Sequence, residues 1–104
     1  MSGVKFTEYI IEIPNMRGIG DHWQAASTVR KFFFDEHIFR SEKKISFHDI
    51  SGSAGFKMKV QMFKWFEDNA SLYVQNSLAH LFHISHNDVQ VTPRPMLLEE
   101  FIAN

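Results

Sequence analysis

The chain contains no cysteine. Disulfide scaffolds, cysteine-based zinc sites and thiol catalysis are therefore excluded, and a reducing, cytoplasmic setting is the expectation. Long apolar runs are missing too. No stretch approaches the roughly 18 apolar residues that a membrane-spanning helix needs, so no membrane partner is expected. The first residues, Met1 to Glu8, lack a basic start followed by an apolar run and do not read as a signal peptide. A surplus of one charge is absent as well. Eleven basic against 12 acidic side chains give a formal net charge of −1, which leaves no global footprint for nucleic acid. No internal repeat or low-complexity tract divides the 104 residues. One α+β domain over residues 1–95 is predicted, followed by a short apolar tail over 96–104.

What the chain does have is phenylalanine, 11 in all. That supply can build a core without a metal or a disulfide. Charge is unevenly spread. Residues 39–64 carry six basic side chains against two acidic, and residues 65–104 carry one basic against five acidic.

The clearest local pattern is Phe56, Met58, Val60 and Met62 alternating with Lys57, Lys59 and Gln61. Period two is the mark of a half-buried strand. The turn-rich residues 51–55 and the alternating Ile45-Ser46-Phe47 precede it. Together they predict a hairpin over about 40–51 and 55–63. An earlier strand is predicted over 4–13, with Tyr9, Ile11 and Ile13 on one side and Val4, Phe6 and Ile10 on the other. Such a strand is central, or it carries a bulge that swaps its faces.

Asp21 followed by Gln24 reads as a helix start. The helix runs to about His37, with Trp23, Ala26, Val29, Phe32 and Phe33 as its buried stripe. Phe34 falls off that stripe. A second helix starts near Asp68 or Asn69, buries Val74, Leu78, Leu81 and Phe82, and ends near Ile84. A short strand, Val89 to Val91, follows, closed by Pro93 and Pro95. The order β-α-β-β-α-β predicts a ferredoxin-like sandwich: a four-stranded antiparallel sheet with two helices on one face.

Several groupings could carry chemistry. His80, His83 and His86 recur every third residue, but imidazoles near a helix C-terminus are favoured by the helix dipole, so no metal and no cofactor is expected. His48 and Asp49 are adjacent on a strand and point to opposite faces, which prevents a simple dyad. The loop Arg17-Gly18-Ile19-Gly20-Asp21 lacks phosphate-binding spacing, and Asp21 puts a carboxylate where a phosphate would sit. Lys43, Lys44, Lys57, Lys59 and Lys64 are the candidate nucleic-acid contacts. Without exposed aromatics on the central strands, Lys57 and Lys59 read instead as protection of a sheet edge. The surplus aromatics point to a protein interface at Phe34, Trp65, Phe66, Leu97 and Phe101.

The sequence thus favours a small binding or regulatory protein without catalytic activity, such as an inhibitor or accessory protein of host or phage. It would work through contacts with another protein or a second copy of itself. The alternatives are a nucleic-acid-binding module using the basic hairpin, and a small dimeric α/β-barrel enzyme using His48 or His22 as acid–base group.

Overall fold

The computed structural model describes residues 6–36, 45–51, 55–62 and 70–96. Strand β1 is Phe6–Ile13, helix α1 is His22–Asp35, β2 is Ile45–Asp49 and β3 is Phe56–Met62. Helix α2 is Ala70–Phe82, and a 3-10 turn at His86–Asp88 leads into β4, Gln90–Met96. The four strands form one antiparallel sheet in the order β2-β3-β1-β4.

Alternation sorts the side chains. Tyr9, Ile11 and Ile13 of β1 lie beside Val60, Met58 and Phe56 of β3, and all are buried. Both helices close over this face. Ala25, Ala26, Val29, Phe32 and Phe33 of α1 join Val74, Leu78, Ala79 and Phe82 of α2 in the same core. The two alanines bring the α1 backbone close to the sheet. Phe33 sits among aromatics, its ring centroid 6.1 Å from Tyr9, 5.1 Å from Phe32 and 6.2 Å from Phe47. The register of β1 is continuous against both neighbours, so the bulge alternative gives way to the central position.

Loop chemistry fixes the ends of the elements. Asp21 accepts a hydrogen bond from the Gln24 amide at 2.8 Å and caps α1. Gly20 ahead of it has φ 103°, a conformation that favours glycine. A Cβ at Gly55 would stand 2.9 Å from the Pro14 carbonyl oxygen, so the approach of β3 to the end of β1 requires glycine there.

Four expectations are corrected. Trp23 is 78 % exposed and Leu81 is 46 % exposed, where the helical periodicity predicts both in buried stripes. Trp23 shares a flank with Arg30 and Phe34, at i, i+7 and i+11, off the stripe that enters the core. Leu81 lies on the side of α2 that looks along α1 rather than down onto the strands. The last strand does not stop at Pro93 but runs through both prolines to Met96, which is buried. Finally, β3 is an interior strand, so Lys57 and Lys59 cannot protect an edge.

The ladder explains why β4 tolerates its prolines. Ile50 donates its amide to the Lys57 carbonyl, continuing the β2–β3 register, so the even-numbered residues of β2 bond inward to β3. Carried across the sheet by the registers, this orientation has Gln90, Thr92 and Arg94 bonding to β1. Val91, Pro93 and Pro95 then turn their backbone nitrogens outward, where a missing N–H costs no ladder bond.

The two neighbouring phenylalanines separate core from surface. Phe33→Ala should cost about 3–5 kcal/mol of unfolding free energy, because it empties a fully buried site. Phe34→Ala should cost less than about 1 kcal/mol. Urea denaturation of both variants measures the difference, and equal losses would contradict this packing.

Candidate functional site

Three surfaces remain once the core is assigned. The first lies between the helices. Glu36, at the C-cap of α1, receives the Tyr73 hydroxyl from the start of α2, and this hydrogen bond to a carboxylate, aided by desolvation, raises the tyrosine pKa. The end of α1 therefore lies beside the start of α2. A groove of about 410 Å³ opens along this seam, lined by Thr28, Lys31, Phe32, Asp35, Glu36 and Leu81. The Phe32 and Tyr73 rings, 6.2 Å apart, continue its apolar strip. Lys31 and Asp35 pair across one helical turn at 2.9 Å. Both are well exposed, so the pair shapes the rim and adds little stability.

The second surface runs along β2. Phe34 is 55 % exposed and its ring centroid is 5.4 Å from that of Phe47. The helix thus lays an aromatic against the outermost strand. Ile50, just past β2, is also exposed, and Ile45 and Phe47 are half-buried.

The third surface is the sheet face turned away from the helices. The registers set Ser46, Gln61, Glu8 and Arg94 in one row, His48, Lys59, Ile10 and Thr92 in the next, and Lys57, Glu12 and Gln90 in a third. Glu8 is 2 % exposed. Its Oε2 accepts from Gln61 Nε2 at 2.7 Å and its Oε1 accepts from Arg94 Nε at 2.9 Å. Burial alone would raise the Glu8 pKa. The hydrogen bonds from Gln61 and Arg94, with the charges of Arg94 and Lys59, outweigh burial and hold it below its ordinary value. Lys57 lies 3.9 Å from Glu12. Acidic and basic groups therefore interleave on this face, which weakens it as a phosphate-binding strip.

The candidate residues sort accordingly. Phe34 is exposed beside the β2 edge, while Lys57 and Lys59 stand on the open sheet face among carboxylates. Trp65, Phe66, Leu97 and Phe101 lie outside the described residues, as do Lys43, Lys44 and Lys64. His48 and Asp49 do point to opposite faces. Asp49 accepts from the Ser51 amide at 3.0 Å, and His48 Nε2 is buried without a hydrogen-bond partner among the described residues. His22 packs edge-on against Phe56 with centroids 6.4 Å apart. Neither histidine lines the groove between the helices. His80 and His86 are exposed at the end of α2 and in the 3-10 turn. His83 takes a left-handed φ of 59° at the helix C-terminus. Among the described residues no three His, Asp or Glu side chains gather as a metal would require.

Sequence reasoning missed the groove and the Glu8 network. The only available signal for the network was a glutamate at an interior position of a strand otherwise rich in apolar residues.

The Glu8 network has a pH signature. A carboxyl whose folded pKa lies below its ordinary value of 4.5 stabilises the fold above that pH. The contribution is lost as pH falls through the folded pKa. Thermal unfolding between about pH 6 and about pH 3 should therefore show a smaller fall in Tm for Glu8→Gln than for the wild type. Equal falls would show that Glu8 does not couple folding to acid.

No protein-family model matches this chain, and no curated protein or solved structure matches it significantly.

Proposed function

We propose that this chain is a small cytoplasmic binding or regulatory protein that acts through protein–protein contacts and self-associates, on a ferredoxin-like frame. The β-α-β-β-α-β order, with β1 and β3 central, supports the frame. The absence of cysteine suits the compartment. Among the described residues no helix is long and apolar enough to cross a membrane.

One observation carries the reading: large apolar side chains remain outside the core that the described residues form. Trp23, Phe34, Ile50, Leu72, Tyr73 and Leu81 are all exposed. Single exposed apolar residues are ordinary, but here Phe34 and Ile50 lie beside β2, Leu81 lines the groove, and Tyr73 stands next to Phe32 of its lining. Aromatic and leucine side chains in that setting suit a contact whose centre excludes water and whose rim carries charge. Lys31, Asp35 and Glu36 supply such a rim. The sequence offers Trp65, Phe66, Leu97 and Phe101, which lie outside the described residues, as further candidates for the contact. No observation favours the nucleic-acid reading, since the Lys57 and Lys59 face is interleaved with Glu8 and Glu12.

The test is a variant with Phe34→Arg and Leu81→Arg together. Both side chains are exposed, so the circular dichroism spectrum and Tm should stay close to wild type. Partner capture and self-association, measured by pull-down and light scattering, should both fall by more than about tenfold, since charge then enters both the groove at Leu81 and the β2 flank at Phe34. A folded double variant that keeps its partner and its oligomeric state would overturn the reading.

A further inference from the structure

The two edges of the sheet differ in kind. On β4 the outward positions are Val91, Pro93 and Pro95, so two of the three have no N–H to offer. On β2 the outward positions are Ile45, Phe47 and Asp49, none of them proline. Among the described residues, the outward N–H and C=O of Phe47 find no partner. Ile45–Asp49 contains no lysine, and its register with β3 has no bulge. An apolar flank lies beside it, because the exposed Phe34 leans on Phe47 and Ile50 is exposed at its end.

We infer that the β2 edge is a self-pairing surface, and that two copies join their β2 strands antiparallel about a two-fold axis through Phe47. This deepens the proposed protein-contact function and rests on it. The occupant is a second copy because the strand is complementary to itself. With Phe47 opposite Phe47, Ile45 faces Asp49 in both directions, and all outward amides and carbonyls over these positions pair. On the helix side, Phe34 and Phe47 of each copy meet across the axis, extending the aromatic cluster around Phe33. On the other side, Ser46 of one copy stands opposite His48 of the other.

The same asymmetry sets the size of the assembly. Head-to-tail stacking of sheets would need β2 of one copy to pair with β4 of the next, and the prolines of β4 prevent that. A β2–β2 contact uses up the one edge left open on each sheet among the described residues. The product closes as a dimer with one continuous eight-stranded sheet and does not grow into a filament.

The test carries the proline block from one edge to the other. Asp49→Pro removes an outward N–H without touching a β2–β3 ladder bond, and His48 before it already has the extended backbone that proline demands. Light scattering on eluting wild-type protein should give twice the 12.2 kDa chain mass, and Asp49→Pro should give the single-chain mass. Leu81→Arg alone should remain dimeric. Hydrogen exchange on the wild type provides a reading that needs no variant. The Phe47 and Asp49 amides should exchange more slowly, on the order of tenfold, when protein concentration is raised through the dimer transition. A monomeric wild type, or outward amides that exchange at the same rate at all concentrations, would overturn the inference. A folded Asp49→Pro that is still dimeric would overturn this interface while leaving the proposed function standing. Loss of the dimer in Leu81→Arg, with Asp49→Pro dimeric, would move the contact to the helix groove. Species larger than a dimer would refute closure.

Discussion

The fold depends on one contact: α1 lying flat on the middle of the sheet with Phe33 at the centre. Phe33 reaches Tyr9 on β1, Phe47 on β2 and Phe32 on its own helix. It therefore links a central strand to an outer strand through the helix layer. Ala25 and Ala26 allow the approach that places it there. Because this contact takes up one side of α1, side chains off that side find no room in the core: Phe34 turns toward the β2 edge and Trp23 toward solvent, while Phe32 joins the core beside Tyr73 of α2. The surfaces assigned to binding follow from the way the core is filled.

Much of the fold was legible in the sequence, and the reason is local. Alternation in β3 and β1 matches the pleat directly, and the Asp21 cap needs only the residues that follow it. What failed depended on neighbours that are distant in the chain. A helical stripe can be read from α2 alone, but how far the burial extends depends on where α1 lies, so Leu81 was misplaced. A proline reads as a strand end, yet its effect is decided by the direction its nitrogen faces, which only the pairing of β4 with β1 determines. Lys57 and Lys59 looked like edge protection until β3 proved to be interior. The Glu8 network joins residues separated by 53 and 86 positions, and no local pattern anticipates that. For the binding surface, Phe34 was legible because three consecutive phenylalanines cannot share one helical stripe. The groove was not, since it exists only where two helices meet.

The two sheet faces and the two edges divide the work. The helix-covered face is core and carries stability. The opposite face sets Ile10 and the buried Met96 among polar groups, with a carboxylate whose pKa Gln61 and Arg94 lower. Its Lys57, Lys59 and Arg94 are interleaved with Glu8 and Glu12, which makes it a poor attractant for nucleic acid. One edge is closed by prolines, and the other, among the described residues, is open beside an aromatic flank. An edge of that kind is expected to be satisfied by pairing. This ties the exposed Phe34 to a partner strand and gives the proposed self-association a structural basis.

The most direct measurement is an isotope-filtered NOE spectrum on a mixture of labelled and unlabelled protein. In an antiparallel pairing centred on Phe47, Ser46 and His48 form non-hydrogen-bonded pairs across the axis, where α-protons approach most closely. The account predicts an intermolecular NOE between the Ser46 α-proton of one copy and the His48 α-proton of the other. Intermolecular NOEs confined to the outer surfaces of α1 and α2, or none at all at concentrations where wild-type protein is expected to be dimeric, would contradict it.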